Sequence, residues 1–409
     1  MKILVAHNRF RIKGGDDRVA WETSKLLEEN GNKIIPFTMK DKNNWKSEYE
    51  KYFVNEIDYS KMNISLNNLK NSIKIIYSFE SKKNIYNLIE NTKPDIAHLH
   101  NIYGKLTPSI LHSLKKKKIP VVMTLHDYKL ICPSYLLLSK DGIVCEKCKY
   151  GSYYKCIITK CHKKSFMASS IYTLETYIQK ILKIYENNVN YFISPSKFMI
   201  DKMVEFGMHK EKFINIYNFV NISSYEPCYE STDYCLYFGR LSREKGINTL
   251  IKAFKYLNAL QLYIAGDGPL KESLEKYVID NKMGNVKFLG HLDKKSLAKV
   301  IQNSKFVILP SEWYENCPMS ILESFAYGKP IIGSKIGGIS ELIDHGVNGL
   351  LFESGNLMDL REKIELLFKD KIQIIQMGKN ARKKVEEKFN SNLYYEKIIN
   401  LYQKAINNN

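Results

Sequence analysis

Nowhere do the 409 residues supply the roughly 18 consecutive apolar positions that a membrane-crossing helix requires. The opening stretch MKILVAHNRFRIKGGDD turns charged after a short apolar run. That argues against a secretory leader and reads as a first β-strand, so a cytoplasmic chain is expected. The patterns GxxxxGK[ST] and GxGxxG are both absent, which disfavours a P-loop NTPase and a dinucleotide-binding domain. There is no low-complexity tract and no short internal repeat, and the composition rules out a disordered, collagen-like or coiled-coil chain. Acidic residues are in deficit: 43 Asp and Glu stand against 62 Lys and Arg, giving a net charge of +19. Such a balance favours an anionic partner, be it nucleic acid, a phosphate ligand or an anionic membrane surface. The lysines are spread along the chain instead of clustering with aromatics on one element, so a nucleic-acid-binding protein is the weaker reading and no nucleic-acid partner is expected.

What is present has the composition of an ordinary globular protein, 44% hydrophobic and 26% charged, and the length suggests two domains. Apolar runs of strand length alternate with amphipathic segments. In the first half they are Ile3–Ala6, Ile34–Phe37, Ile96–Leu99, Val121–Leu125 and Tyr191–Ile193. In the second half they are Tyr234–Phe238, Leu262–Ala265, Val286–Leu289, Phe306–Leu309, Ile331–Gly333 and Leu350–Phe352. This alternation predicts βαβ units with parallel sheets, an α/β fold. A polar, aperiodic stretch places the boundary near 220: residues 1–220 form a first domain and 221–387 a second. Ligands of open parallel sheets bind beyond the carboxyl ends of the strands, so those loops are where chemistry is sought.

The loop after Tyr234–Phe238 reads GRLSREKG, with Gly239 for a tight turn and Arg240 and Lys245 five residues apart. Two cations at a strand end can clamp a diphosphate, Arg as a fork and Lys as a point charge; a solvated basic loop is the bland alternative. The segment PSEWYENCPMSILESFAYGKP follows Phe306–Leu309, and Pro318 suits the first turn of a helix. Glu315 then lies in the loop before the helix, Glu323 lies within it, and the amides near Cys317, Met319 and Ser320 offer an anion site. Gly14 and Gly15 follow the first strand, where glycine lets a ligand approach the backbone. His98, His100 and His126 sit on or at the end of strands. A metal reading of the three lacks a carboxylate at ligand spacing, and sugar or phosphate contact by His126 is preferred.

Five of the eight cysteines fall between Cys132 and Cys161. Cys145, Cys148, Cys156 and Cys161 open with CxxC and fit a structural zinc site that would staple a polar insertion, residues 132–165; free thiols and disulfides are the alternatives. The segment from Ile171 to Tyr185 carries apolar residues at helical spacing, flanked by Lys163, Lys164, Lys180 and Lys183. Contact of this basic amphipathic helix with an anionic membrane is one reading; a core-facing helix is the preferred one.

Taken jointly, FGRLSREKG, IAGDGPL, VKFLGHL, WYENCPMSILESFAYGKP, DIAHLHN and VMTLHDYKLICP resemble family 4 retaining glycosyltransferases, in a subset from bacterial surface-polysaccharide pathways. Glu315 and Glu323 match that family's E-x7-E element. The resemblance implies a GT-B fold, two facing Rossmann-like domains with a donor cleft, and a tail (388–409) that returns to the first domain. It implies transfer of a hexosyl or N-acetylhexosaminyl group from a nucleotide sugar, UDP favoured, to a glycan or lipid-linked acceptor. Arg240 and Lys245 would then neutralise the diphosphate, and Glu323 would hold the ribose. Glu315 and the backbone of Asn316, Cys317, Pro318, Met319 and Ser320 would hold the sugar and phosphates. Gly290, His291 and Leu292 would contact the base, while Gly14, Gly15 and His126 would close over the donor sugar. No cofactor is required in this scheme, and any zinc would be structural. A cytoplasmic enzyme peripheral to the inner face of the membrane is expected. A sugar-nucleotide epimerase or phosphorylase of the same fold is the alternative.

Overall fold

The computed structural model describes residues 1–56 and 74–409. The chain forms two compact units. One comprises Met1–Lys140, Cys145–Ile216 and Tyr395–Asn409; the other comprises Asp141–Val144 and Tyr217–Tyr394.

The first unit is built on β1 (Lys2–Ala6), β2 (Lys33–Phe37), β3 (Ile96–Leu99), β4 (Val121–Thr124), β5 (Tyr191–Ser194) and β6 (Phe213–Asn215). They form one sheet in the order β2-β1-β3-β4-β5-β6, with every pair parallel. β3 and β4 are buried along their whole length, as a parallel sheet covered on both faces demands. The chain then reaches back over about three hundred residues to close this unit. In the last helix, Ser391–Asn407, the buried Tyr402 places its hydroxyl 2.7 Å from His98 Nδ1 on β3.

The second unit holds β7 (Tyr234–Phe238), β8 (Gln261–Ala265), β9 (Val286–Gly290), β10 (Val307–Leu309), β11 (Ile331–Ser334) and β12 (Gly349–Phe352). Their order is β12-β11-β10-β7-β8-β9, all parallel. Counted from its own first strand this is the doubly wound 3-2-1-4-5-6 arrangement, whose strand order reverses between β7 and β10. In the first unit the reversal falls between β1 and β3. Topology therefore nominates one crevice in each unit, outside the carboxyl ends of those two strands.

The eleven strands read from the sequence are all present, each end within one residue of the expectation. The three-residue edge strand β6 was not anticipated, being too short to show a period. One helix reverses its expected orientation. Phe166–Ile181 buries Ser169, Thr173, Glu175, Thr176 and Gln179, while Leu174 and Ile181 face solvent. The cause is a polar interior beneath it: Glu175 meets Lys129 at 2.8 Å with both side chains buried, and Gln179 Nε2 donates to Glu175 Oε1 at 2.8 Å.

Candidate functional site

In the second unit the strand-end loops lock to one another through their backbones. Gly239 N–H donates to Ala265 O (3.0 Å), Gly266 N–H to Gly290 O (2.7 Å) and Leu241 N–H to Asp267 O (2.9 Å). Gly266 has φ +147°, and a Cβ there would stand 1.9 Å from Gly239 O, so only glycine permits this approach. Gly246 is equally constrained: φ is +67° and a Cβ would lie 1.7 Å from Pro310 O. Gly246 thereby draws the loop after β7 against the loop after β10, at the strand-order reversal.

There the two loops exchange charge. Lys245 Nζ lies 2.6 Å from Glu315 Oε1, which also accepts from Ser311 Oγ at 2.8 Å. Lys245 Nζ stands 5.3 Å from the centre of the Trp313 ring, within cation–π range. Glu315 is buried, and its carbonyl accepts from Gly338 N–H at 2.7 Å. Arg240 is exposed on the same loop as Lys245. The helix Met319–Ala326 begins one residue after Pro318, its N-cap, and Glu323 sits half-buried in its second turn. Asn316, Met319 and Ser320 are partly accessible before and within its first turn. Cys317 is not: its side chain is packed in the core beside Ile321 and Phe325, and its carbonyl is taken by Asn218 Nδ2 at 3.0 Å. Gly290 ends β9 and is followed by the exposed His291 and the half-buried Leu292.

In the first unit, His126 follows β4 and His100 follows β3. His100 Nδ1 and His126 Nε2 are hydrogen-bonded at 2.9 Å with their rings stacked, and His98 lies against His100 with ring centres 4.2 Å apart. Burial pushes His126 down to about 4 and His98 to about 3, so both are neutral near pH 7. The three histidines form a hydrogen-bonded and stacked row and no metal cluster with one another; among the described residues the metal-like grouping is His7, Asp16 and Asp17. Arg9 already stands 3.4 Å from Asp17, whose carboxylate also accepts from the backbone N–H groups of Lys13 and Gly14. Gly14 is extended and Gly15 has open space around its missing Cβ, so neither position demands glycine for conformational reasons.

Beside this row, at the reversal between β1 and β3, opens a cavity of about 190 Å³ whose walls include His7, Asp16, Asn101, Asp127, Tyr135 and His162. Asn101 Nδ2 donates to Asp16 Oδ2 at 2.7 Å. Burial raises Asp16, but hydrogen bonding from His7 and Asn101 and the neighbouring imidazoles outweigh it, and its carboxyl sits well below the usual range. Asp127 goes the other way: burial lifts it to about 7, against the N–H of Lys129. These acids escaped the sequence reading because neither Asp16, in the first turn of the helix Gly15–Glu29, nor Asp127, in the loop after β4, carries a periodic signal.

Asp127 gives a pH prediction. Its folded-state pKa is above the unfolded value, so its contribution to stability is fully present below about 4 and is lost as pH rises through about 7. Asp127→Asn cannot ionise and should raise thermal stability at pH 8, on the order of 2 kcal/mol. The gain should shrink towards pH 4, and melting curves across that range check it.

The cysteines gather without closing. Cys161 is hydrogen-bonded to the thiols of Cys145 and Cys156 and to Thr159 Oγ1 (2.8 Å), while Cys148 and Cys156 pack together with Tyr153. A zinc ion about 2.3 Å from each sulfur would keep all sulfurs within roughly 4.6 Å of one another. Among the described residues no three cysteine sulfurs lie within 4.8 Å of one another.

Comparison with known proteins follows this geometry. The profile described as Glycosyltransferase Family 4 matches residues 13–224, and that described as Glycosyl transferases group 1 matches residues 223–384. An uncharacterized glycosyltransferase of Methanocaldococcus jannaschii is 26% identical over 98% of this chain and 96% of its own. The poly(ribitol-phosphate) alpha-N-acetylglucosaminyltransferase of Staphylococcus aureus is 27% identical over 47% of this chain and 40% of its own. Among solved structures, Anabaena HepE in complex with UDP-glucose superposes with a TM-score of 0.67 at 17% identity, covering 99% of this chain and 100% of that one.

Proposed function

Because the chain belongs to glycosyltransferase family 4, we propose that it moves a hexosyl or N-acetylhexosaminyl group, with retention at the anomeric carbon, from a UDP-sugar to a hydroxyl of a surface glycan or its lipid-linked precursor. The observation that carries this reading is the Lys245–Glu315 pair, held between glycine-locked loops at the strand-order reversal with Arg240 beside it. Support for UDP and for the acceptor class comes from relatives: the Anabaena protein binds UDP-glucose, and the staphylococcal one is named for a glycopolymer acceptor.

In this reading, the anomeric C–O bond to the diphosphate breaks while the acceptor oxygen bonds to the same carbon from the same face. The acceptor's proton passes to the departing phosphate oxygen. Negative charge grows on that phosphate, and Arg240 and Lys245 are fixed cations aimed at it, doing the work a divalent metal does elsewhere. Glu315 orients Lys245 and, with the backbone from Asn316 to Ser320, holds sugar and phosphate. Glu323 takes the ribose hydroxyls. Gly290, His291 and Leu292 border the base.

The test is thermal stabilisation by UDP, GDP, ADP and CMP without added metal. UDP at 100 times its dissociation constant should add about 2.7 kcal/mol, and Glu323→Ala should abolish the shift. Absence of a shift with every nucleotide overturns the donor site. A shift with GDP alone keeps the site and replaces the carrier.

A further inference from the structure

We infer that residues 150–183 of the first unit form a docking face for a lipid bilayer rich in anionic headgroups. The inference does not depend on the transfer reaction. It starts from the inverted helix Phe166–Ile181, which turns its polar side inward and its apolar side out. Phe166 is 61% exposed, Leu174 53%, Ile181 75% and, just beyond the helix, Leu182 61%. Leu174 and Ile181 are seven residues apart, two turns along one stripe. The short helix Tyr154–Thr159 packs against this one and adds Ile158, 70% exposed, and Tyr154. An open groove of about 470 Å³ continues the surface past Ile181, walled by Tyr150, Tyr177, Val204 and Phe206 together with Lys180 and Glu205, whose carboxylate is paired with Lys149 and Lys202. Contiguous exposure of large aliphatic side chains is a cost to a chain that leaves them in water, and marks a surface with a partner.

Charge names the partner. Between Tyr150 and Lys183 the chain carries Lys155, Lys160, Lys163, Lys164, Lys180 and Lys183. Its single acid there is Glu175, which is buried against Lys129. Lys160, Lys163, Lys164 and Lys183 are exposed at the ends of the two helices, flanking the apolar stripe. An apolar stripe edged by unopposed lysines fits the boundary of an anionic bilayer, where aliphatic side chains enter the acyl region and ammonium groups meet headgroups. Nucleic acid fits it poorly, because Leu174, Ile181 and Leu182 offer nothing to a phosphate backbone.

The experiment is co-flotation of the full chain with phosphatidylglycerol-containing and pure phosphatidylcholine vesicles, alongside light scattering without lipid. Wild type should float with the anionic vesicles at least tenfold more tightly than with the neutral ones, and lose binding in high salt. Leu174→Glu with Ile181→Glu should abolish flotation. Each of Lys163→Glu and Lys164→Glu should weaken it about fivefold or more, at about 1 kcal/mol per lysine near the surface. All four positions are exposed, so melting temperature and UDP stabilisation should stay at wild-type values, separating this result from the donor site. Equal flotation by the double glutamate variant overturns the inference. So does a wild-type dimer that this variant converts to monomer, since a second copy would then cover the face.

Discussion

Arg240→Ala is expected to cut turnover by about two to three orders of magnitude while leaving the melting temperature unchanged. Removing one preorganised donor from a developing anion costs about 3–4 kcal/mol of transition-state stabilisation. Arg240 is exposed in the ligand-free protein, so its loss disturbs little of the fold. Lys245→Ala should be as damaging to turnover but should also lower stability, because it strips the counter-ion from a buried carboxylate 2.6 Å away. Adding Glu315→Gln should restore the melting temperature without restoring turnover. Steady-state kinetics with the nucleotide sugar whose carrier stabilises the protein, read beside thermal melts, separates the two. Near-wild-type turnover in Arg240→Ala would remove that residue from the proposed charge clamp.

Lys129→Met should be the most destabilising single change in the first unit, by about 3–5 kcal/mol. Its Nζ sits 2.8 Å from Glu175 and 4.8 Å from the centre of the Tyr172 ring, and neither partner of the ion pair reaches solvent. Removing the lysine leaves a carboxylate buried with no counter-ion; removing both charges, as in Lys129→Met with Glu175→Gln, should recover most of the loss. For a unit of this size the single variant corresponds to a fall of roughly 10 °C in melting temperature. A single variant that melts with the double one would show that the pair contributes nothing, and that the inverted helix is held by other contacts.

The sheets were legible because buried parallel strands read as unbroken apolar runs between turn residues, and eleven such runs announced themselves. The residues proposed for the donor were legible as motifs after strands, and the structure has Lys245 and Glu315 in strand-end loops and Glu323 in the helix Met319–Ala326. Side-chain direction was not legible. The helix Phe166–Ile181 has an apolar stripe that looks core-facing by period alone, yet its partner is a buried Lys129 some 40 residues earlier, invisible to a local window. The Cys317 side chain lies in the core cluster with Ile321 and Phe325, a direction that its place in the loop does not reveal. Spacing likewise announced the cysteine cluster but left the distances among the sulfurs unknown.

The hydrogen bond between Tyr402 and His98 joins residues 304 positions apart. β3 lies in the interior of the first sheet, so a nascent chain holds that sheet without its Tyr402 contact for as long as the second unit is being synthesised. The first unit is first in translation order but the last to be finished. The buried site at His98 that Tyr402 fills stays vacant until the helix Ser391–Asn407 is made, and a chain cut before that helix would lack this contact permanently.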